Sequence, residues 1–199
     1  MKSNLNHQSN DPNCKGVEIL SIGSELLLGN IVNTNAQWIS EELSTLGLNH
    51  FRQSTIGDNS ERIIKLIKEI SLRSNLLITT GGLGPTPDDL TTEAIAKSFN
   101  ASLSEREYLW DQIKKKLSIS GSSFNRSSLK KQCFFPKDAQ IINNPRGTAP
   151  GMIWKPIKGF TIMTFPGVPS EMKEMWKETA VNYIKNNFSD GYVFFSNTL

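Results

Sequence analysis

The apolar run Asn75-Leu76-Leu77-Ile78 passes directly into Thr79-Thr80-Gly81-Gly82-Leu83-Gly84-Pro85-Thr86-Pro87-Asp88-Asp89-Leu90-Thr91-Thr92-Glu93. A buried strand that empties into a glycine-rich loop and then a helix puts bare backbone N–H groups at the carboxyl end of a strand. In an open α/β sheet that is where phosphorylated ligands bind. Gly81, Gly82 and Gly84 let the backbone approach a ligand closely and adopt positive φ. Pro85 and Pro87 hold the loop extended and leave Asp88 and Asp89 at the helix entrance. The run has neither the spacing of the dinucleotide fingerprint nor the lysine of the Walker loop, so both are excluded.

With 199 residues and 37% apolar content, one α/β domain is expected. Residues 1–15 read as a disordered polar tail, because the Asn-rich start has no apolar core of a signal peptide. No apolar run approaches the roughly 18 residues of a membrane span. Cys14 and Cys133 are too few and too far apart for a metal quartet or a disulfide framework, so reduced thiols in the cytoplasm are expected. A net charge of +3 with interspersed signs leaves no footprint for nucleic acid.

Val17–Ile22 reads as a strand ending at Gly23, and Thr34–Leu46 as a helix stopped by Gly47. Leu48–Ile56 reads as a second strand. Asp58-Asn59-Ser60-Glu61 then starts a helix with Asp58 as its cap and Ile63, Leu66, Ile67 and Ile70 as its stripe. Leu76–Thr79 is the third strand, followed by the glycine loop and a helix over Leu90–Phe99. Ser104-Glu105-Arg106-Glu107 reads as a capping box for a helix through Leu117, and Ser127–Gln132 as a short helix. Gly151–Trp154 and Phe160–Phe165 flank a hairpin turn. Ser170 caps a last helix carrying Met172, Met175, Trp176, Thr179 and Tyr183, and an apolar strand, Tyr192–Phe195, follows. This alternation predicts a mostly parallel sheet covered on both faces, with an antiparallel hairpin at one side.

Three other segments share the strand-to-loop-to-helix character of the glycine loop. Gly23-Ser24-Glu25-Leu26-Leu27-Leu28-Gly29-Asn30 sets a carboxylate between glycines, with Asn33, Thr34 and Asn35 at the next helix start. Asn144–Gly151 puts Arg146 in a rigid turn, and Pro166-Gly167-Val168-Pro169-Ser170-Glu171 brings another helix N-terminus. Four such loops at one sheet edge would form a polar cleft. Each also has an ordinary structural explanation. The glycines could be a turn alone, Glu25 a surface residue, and Glu171 a complement to the helix dipole. Only one of Asp88 and Asp89 can be an N-cap, which frees the other for a ligand or metal. The four tryptophans read as core or interface residues.

Ile22–Gly29, Ile56–Asn59, Thr79–Thr92, Asn144–Gly151 and Phe165–Met172 together resemble the N-terminal domain of the CinA (competence/damage-inducible) proteins. That domain belongs to the molybdopterin-binding superfamily shared with MogA, MoaB and MoeA. The resemblance covers about residues 16–199, with 16–188 as the domain, and implies a three-layer α/β/α Rossmann-like sheet. It also implies metal-dependent hydrolysis of ADP-ribose to AMP and ribose 5-phosphate. Relatives continue through a linker into an amidase domain; residues 189–199 read as the start of that linker, so no amidase activity is expected of this chain, and a separate amidase chain is a possible partner. Asn33 stands where Asp is more frequent, and Ser24 where Thr or Asp is usual; if the first is a metal ligand in relatives, metal affinity here is weakened.

Asp88, Asp89 and Glu25 are the expected catalytic residues, and Asp88, Asp89 and Asp58 the expected ligands of Mg²⁺, Co²⁺ or Mn²⁺. Gly23, Asn35, Gly81, Gly82, Leu83, Gly84, Thr92, Arg126, Arg146, Gly167 and Ser170 are expected to hold the nucleotide diphosphate, with Lys131 a further phosphate clamp. Backbone N–H groups of Gly82–Gly84 would stabilise charge on the leaving phosphate. Two other functions compete: a pterin-nucleotide protein of molybdenum-cofactor synthesis, and a non-catalytic ligand-binding or assembly module. A homodimer is expected through the terminal apolar strand, with Trp154, Met175 and Trp176 as weaker contact candidates.

Overall fold

The computed structural model describes residues 16–48, 50–120 and 126–188, with the side chains of 119, 120 and 126 left out. The expected tail, the linker segment 189–199 and the strand Tyr192–Phe195 lie outside these residues. Strand β1 (Gly16–Ile22) leads through the four-residue turn of helix α1 (Ser24–Leu27) into α2 (Thr34–Thr45). Then come β2 (His50–Ile56), α3 (Ser60–Ser71), β3 (Ser74–Thr80) and α4 (Thr91–Ser98). A short antiparallel pair, β4 (Leu103–Glu105) and β5 (Phe134–Pro136), brackets α5 (Glu107–Ser120), α6 (Arg126–Lys130) and a 3-10 turn, Lys131–Cys133. Strands β6 (Gln140–Ile142), β7 (Gly151–Ile157) and β8 (Phe160–Phe165) complete the sheet. The C-terminal helix is α7 (Pro169–Met175), a π turn at Trp176–Ala180, and α8 (Val181–Phe188).

The six-stranded sheet has the order β2-β1-β3-β8-β7-β6. Its first four strands are parallel, and β8-β7-β6 are antiparallel, as the predicted hairpin requires. Alternating side chains bury the two faces separately. On one, Leu20, Ile22 and Leu77 meet Ile63, Ile67 and Ile70 of α3, Ile95 of α4 and Ile113 of α5. On the other, Ile19, Ile78 and Phe165 meet Ile39 and Leu43 of α2 and Met172, Trp176 and Ile184 of the C-terminal helix. The sheet is therefore the middle of three layers. The connection from β1 runs outward to β2, while β3 pairs on the opposite side of β1. This reversal leaves a crevice at the carboxyl ends of β1 and β3.

The structure corrects several local expectations. Ser104 and Glu105 lie in β4, where Ser104 Oγ donates to the Phe135 carbonyl, so they form no capping box; strand pairing outweighs the local cap signal. Asn59, not Asp58, caps α3, accepting from Arg62 N at 3.0 Å. Val168 occupies the N-cap of α7 with no side-chain bond, which leaves Ser170 uncapping and exposed. Pro169 supplies the helix start instead, its fixed φ suiting the first turn. Trp154, Met175 and Trp176 are interior residues, so the expected dimer contact does not run through them. Among the described residues no helix is long and apolar enough to cross a membrane.

At the amino end of β1, Glu18 is buried and accepts from Arg73 Nε at 2.7 Å, Arg73 Nη2 at 2.9 Å and Ser74 Oγ at 2.6 Å. Burial works to raise its pKa, but the Arg73 and Ser74 hydrogen bonds and the guanidinium charge prevail and hold it below the usual carboxylate value. A lowered folded-state pKa means the stabilisation is present above the unfolded pKa and is lost as pH falls through the carboxylate range. Glu18→Gln is expected to cost about 2 kcal/mol at neutral pH. It should also make stability less acid-sensitive below about pH 4. Urea melts at neutral and acid pH measure both effects.

Candidate functional site

The loops that leave the carboxyl ends of β1, β2, β3 and β8 converge on one cleft of about 450 Å³. Gly23 and Glu25 come from the first, Asp58 from the second, and Gly81–Pro85 with Asp88 and Asp89 from the third. Gly167, Val168 and Glu171 come from the fourth. The segment before β7 adds Thr148 and Ala149, because an antiparallel strand beside β8 begins at the edge where β8 ends. Gln132, in the 3-10 turn, closes the floor between the glycine loop and α6.

Gly81 and Gly82 have φ of 97° and 64°, the left-handed region that glycine alone enters without strain. A Cβ at Gly81 would strike the Ile22 carbonyl oxygen, and one at Gly82 the Thr91 hydroxyl. Both glycines thus have a packing reason independent of any ligand. Thr91 fastens the turn, its Oγ1 donating to Gly81 O at 2.9 Å and its N to Gly82 O at 3.1 Å. Gly81 N is spent on the Phe165 carbonyl. The next three N–H groups, of Gly82, Leu83 and Gly84, have no acceptor among the described residues. They border the cleft, where an anion can take them.

Neither Asp88 nor Asp89 caps α4, whose N-cap position is Leu90 with no side-chain bond. Both carboxylates turn back to Thr86 instead. Asp89 Oδ2 accepts from Thr86 N at 2.9 Å and from Thr86 Oγ1 at 2.5 Å, and Asp88 Oδ1 also accepts from Thr86 Oγ1. The Thr86 hydroxyl bond holds Asp88 below the usual carboxylate pKa, helped by its own backbone N–H and the charge of Lys131. Asp58 Oδ2 accepts from Ser24 N at 2.8 Å while Asp58 N donates to Ser24 Oγ at 3.2 Å, so Asp58 ties the β2 loop to α1. Glu171 accepts from Asn144 Nδ2 at 2.7 Å.

Five carboxylates line the cleft, and no lysine or arginine side chain does among the described residues. The nearby cations are engaged with backbone carbonyls or with a carboxylate outside the cleft. Lys131 donates to the carbonyls of Thr86 and Asp89 (2.8 Å to the latter), which makes it a clamp on the loop rather than on a phosphate. Lys116 donates to the carbonyls of Asn144 and Gly147, and burial pushes its pKa down against the charge of Glu171. Arg146 pairs with Glu174 and is not among the residues that line the cleft. No cluster of three His, Cys, Asp or Glu among the described residues forms a ready metal cage. The donors nonetheless suit a hard cation that arrives with phosphate. One Thr86 proton serves only one of two carboxylates at a time, and the remaining carboxylate lone pairs are free for coordination.

Of the expected binding residues, Thr92 lines an adjoining pocket rather than the cleft. Asn35 is buried and acts on the cleft through Gly167, donating Nδ2 to its carbonyl at 2.8 Å. Ser170 is exposed and Arg146 faces Glu174, and neither borders the cleft. Arg126 opens α6, and its side chain lies outside the described residues. Asn33 caps α2 through Ala36 N and donates to Ser21 Oγ at 2.8 Å, which accounts for an amide at that position. Sequence reasoning missed Gln132 and Asn144. The Asn144 signal was present in Asn-Pro-Arg-Gly: its Oδ1 accepts from Arg146 N and Gly147 N, the local bonding that makes asparagine a turn residue. Gln132 offers no such local signal.

Residues 18–186 match the sequence model of the family described as "Probable molybdopterin binding domain". The chain is 94% identical over its full length to a "CinA-like protein" of Prochlorococcus marinus subsp. pastoris, of which it covers 46%. It is 55% identical over 184 residues to a CinA-like protein of Synechococcus sp., covering 92% of this chain and 43% of that one. It thus spans about half the length of the curated relatives it matches. The solved protein CinA of Thermoplasma acidophilum, titled as of unknown function, superposes with a TM-score of 0.77 at 34% identity, covering 85% of this chain and 98% of that one. MoaB of Thermus thermophilus, a molybdopterin biosynthesis enzyme, superposes at 0.53 with 18% identity over 87% of this chain and 98% of its own, which is a likeness of fold.

The glycine geometry separates two substitutions. Gly82→Ala is expected to cost about 2 kcal/mol, from a left-handed backbone and a collision with Thr91. That corresponds to a Tm lower by about 5 °C. Gly84→Ala, at ordinary φ, meets the Asp89 carboxylate that Thr86 holds but no backbone, and should lower Tm by less than Gly82→Ala does. Thermal melts followed by circular dichroism distinguish them.

Proposed function

The chain belongs to the molybdopterin-binding domain family, in its CinA-like branch, and from that premise we propose that its cleft hydrolyses a nucleoside diphosphate sugar with a divalent cation. ADP-ribose is the substrate we assign, with water cleaving the bridging P–O bond to give AMP and ribose 5-phosphate. The observation that carries this is the pairing of three unspent loop amides with a cleft walled by carboxylates and without a lining cation. The amides call for an anion, and the carboxylates admit one only if positive charge accompanies it.

Magnesium, cobalt or manganese would neutralise the diphosphate and acidify a nearby water. Asp88 and Asp89 are the residues to hold such an ion. The Thr86 bond holds the Asp88 carboxyl below the usual range, so it is ionised and suited to meet a cation rather than to act as a base. Glu25, exposed and lining the cleft, is the residue we assign to take the proton of the attacking water. The N–H groups of Gly82, Leu83 and Gly84 would bind the charge that grows on the departing phosphate. A molybdopterin ligand has the family description and the MoaB fold in its favour. Fold by itself assigns no chemistry, and the carboxylate wall favours the diphosphate.

Purified protein incubated with ADP-ribose and Mg²⁺ or Co²⁺ should yield AMP and ribose 5-phosphate, and a chelator should stop the reaction. Asp88→Asn and Asp89→Asn should each lower turnover by about 10²-fold or more. Asp88→Asn should keep the wild-type Tm, because Asp88 is exposed and supports no core contact. Full turnover in both variants, or none in the wild type, would overturn the assignment.

A further inference from the structure

We propose that Glu171 is a sugar-binding residue of the cleft, its free carboxylate oxygen accepting from hydroxyl groups of a ribose in the ligand. The inference rests on the nucleotide-diphosphate reading of the cleft. Glu171 stands in the first turn of α7, is partly exposed and lines the cleft. A glutamate at a helix start is ordinarily free to swing, but the turn before β7 removes that freedom. Any Cβ at Gly147 would collide with the Glu171 carboxylate, so the carboxylate occupies the space that this glycine leaves open. Asn144, only 4% exposed, adds a second restraint. Its Oδ1 accepts from Arg146 N at 3.1 Å and Gly147 N at 2.7 Å, which turns Nδ2 toward Glu171. Nδ2 donates to Glu171 Oε2 at 2.7 Å. The other oxygen, Oε1, has no hydrogen bond among the described residues and is open to solvent.

What this oxygen binds follows from the charges around it. A carboxylate repels phosphate. A cation finds the position already compensated, because the charge of Lys116 faces Glu171. Lys116 donates to the carbonyls of Asn144 and Gly147, so it stays beside the carboxylate it balances. A hydroxyl meets neither obstacle. It is a neutral donor, and its bond to an ionised acceptor is about twice as strong as one between neutral groups. A nucleoside diphosphate sugar carries such donors on each ribose. On the same reading its phosphates and its cation are taken by the glycine loop and by Asp88 and Asp89, which leaves the hydroxyls for Glu171.

Calorimetry in the presence of Mg²⁺ tests this with AMP against its 2′-deoxy and 3′-deoxy forms, and with ribose 5-phosphate against 2-deoxyribose 5-phosphate. At least one deoxy ligand should bind about tenfold more weakly than its parent, from one hydrogen bond to a charged group. The pair that shows the difference identifies which ribose is held. Glu171→Gln still accepts from Asn144 Nδ2, so Tm should hold within about 1 °C. The ratio of parent to deoxy affinity should fall to about threefold as the acceptor loses its charge. That ratio is unaffected by the general gain in anion affinity that follows removal of a negative charge. Gly147→Ala, which keeps Glu171 but takes its space, should lower the ratio as well. Equal binding of parent and deoxy ligands, or a ratio that survives Glu171→Gln, would overturn the proposal while hydrolysis of ADP-ribose could still stand. Failure of every ligand to bind would overturn both readings together.

Discussion

The turn at Gly81–Gly82 is wedged between the end of β1 and the start of α4, and the cleft depends on that wedge. Ile22 O and Thr91 Oγ1 leave no room for a Cβ at either glycine, so β3 must turn as it passes its neighbour. Once turned, the chain has used Gly81 N and both glycine carbonyls internally and reaches Gly82–Gly84 with three amides unspent. The apparent extravagance of three glycines in four residues thus divides into two tasks. Two of them let strand, turn and helix pack closely, and Gly84 keeps the space beside Asp89 clear.

The remaining loops are held in place by polar side chains, Asn144 and Asn35 among them buried. Asn144 bonds Ala149 O, Glu171 and two backbone N–H groups, and Lys116 reaches across from α5 to two carbonyls of the same turn. Asn35 holds Gly167, and Asp58 with Ser24 holds the β1 and β2 loops together. These bonds order the backbone before any ligand arrives, which lowers the conformational cost of binding. They also explain why loop residues that look like ligands by type, such as Asp58 and Asn33, are engaged with the protein itself.

The layers and the cleft were legible in the sequence because they rest on local signals. Apolar strands alternating with striped helices specified the three layers, and glycine-rich strand ends identified the loops that meet. Long-range pairings were not legible. Ser104-Glu105-Arg106-Glu107 fits a capping box by spacing, yet Phe134–Pro136, some thirty residues later, draws Ser104 and Glu105 into a strand. Arg146 satisfied the type expected of a phosphate clamp, but its partner Glu174 lies on a helix whose approach no local pattern reveals. Gln132 is the same case in reverse: an unremarkable residue in a basic segment becomes the floor of the cleft because β5 pairs with β4.

The disposition of charge follows from this economy of contacts. Lys131, Lys116 and Arg146 all stand near the cleft, and each has its donors committed to carbonyls or to a carboxylate outside it. Releasing any of them to meet a phosphate would unfasten a loop that shapes the site. Positive charge for an anionic ligand therefore has to come from outside the protein's own side chains among the described residues. A divalent cation carried by the phosphates meets that need without disturbing a single loop bond, since unused lone pairs of Asp88 and Asp89 are what it would contact. On the proposed reading the acidic wall would act as a filter, repelling a bare diphosphate and admitting one whose charge is already compensated.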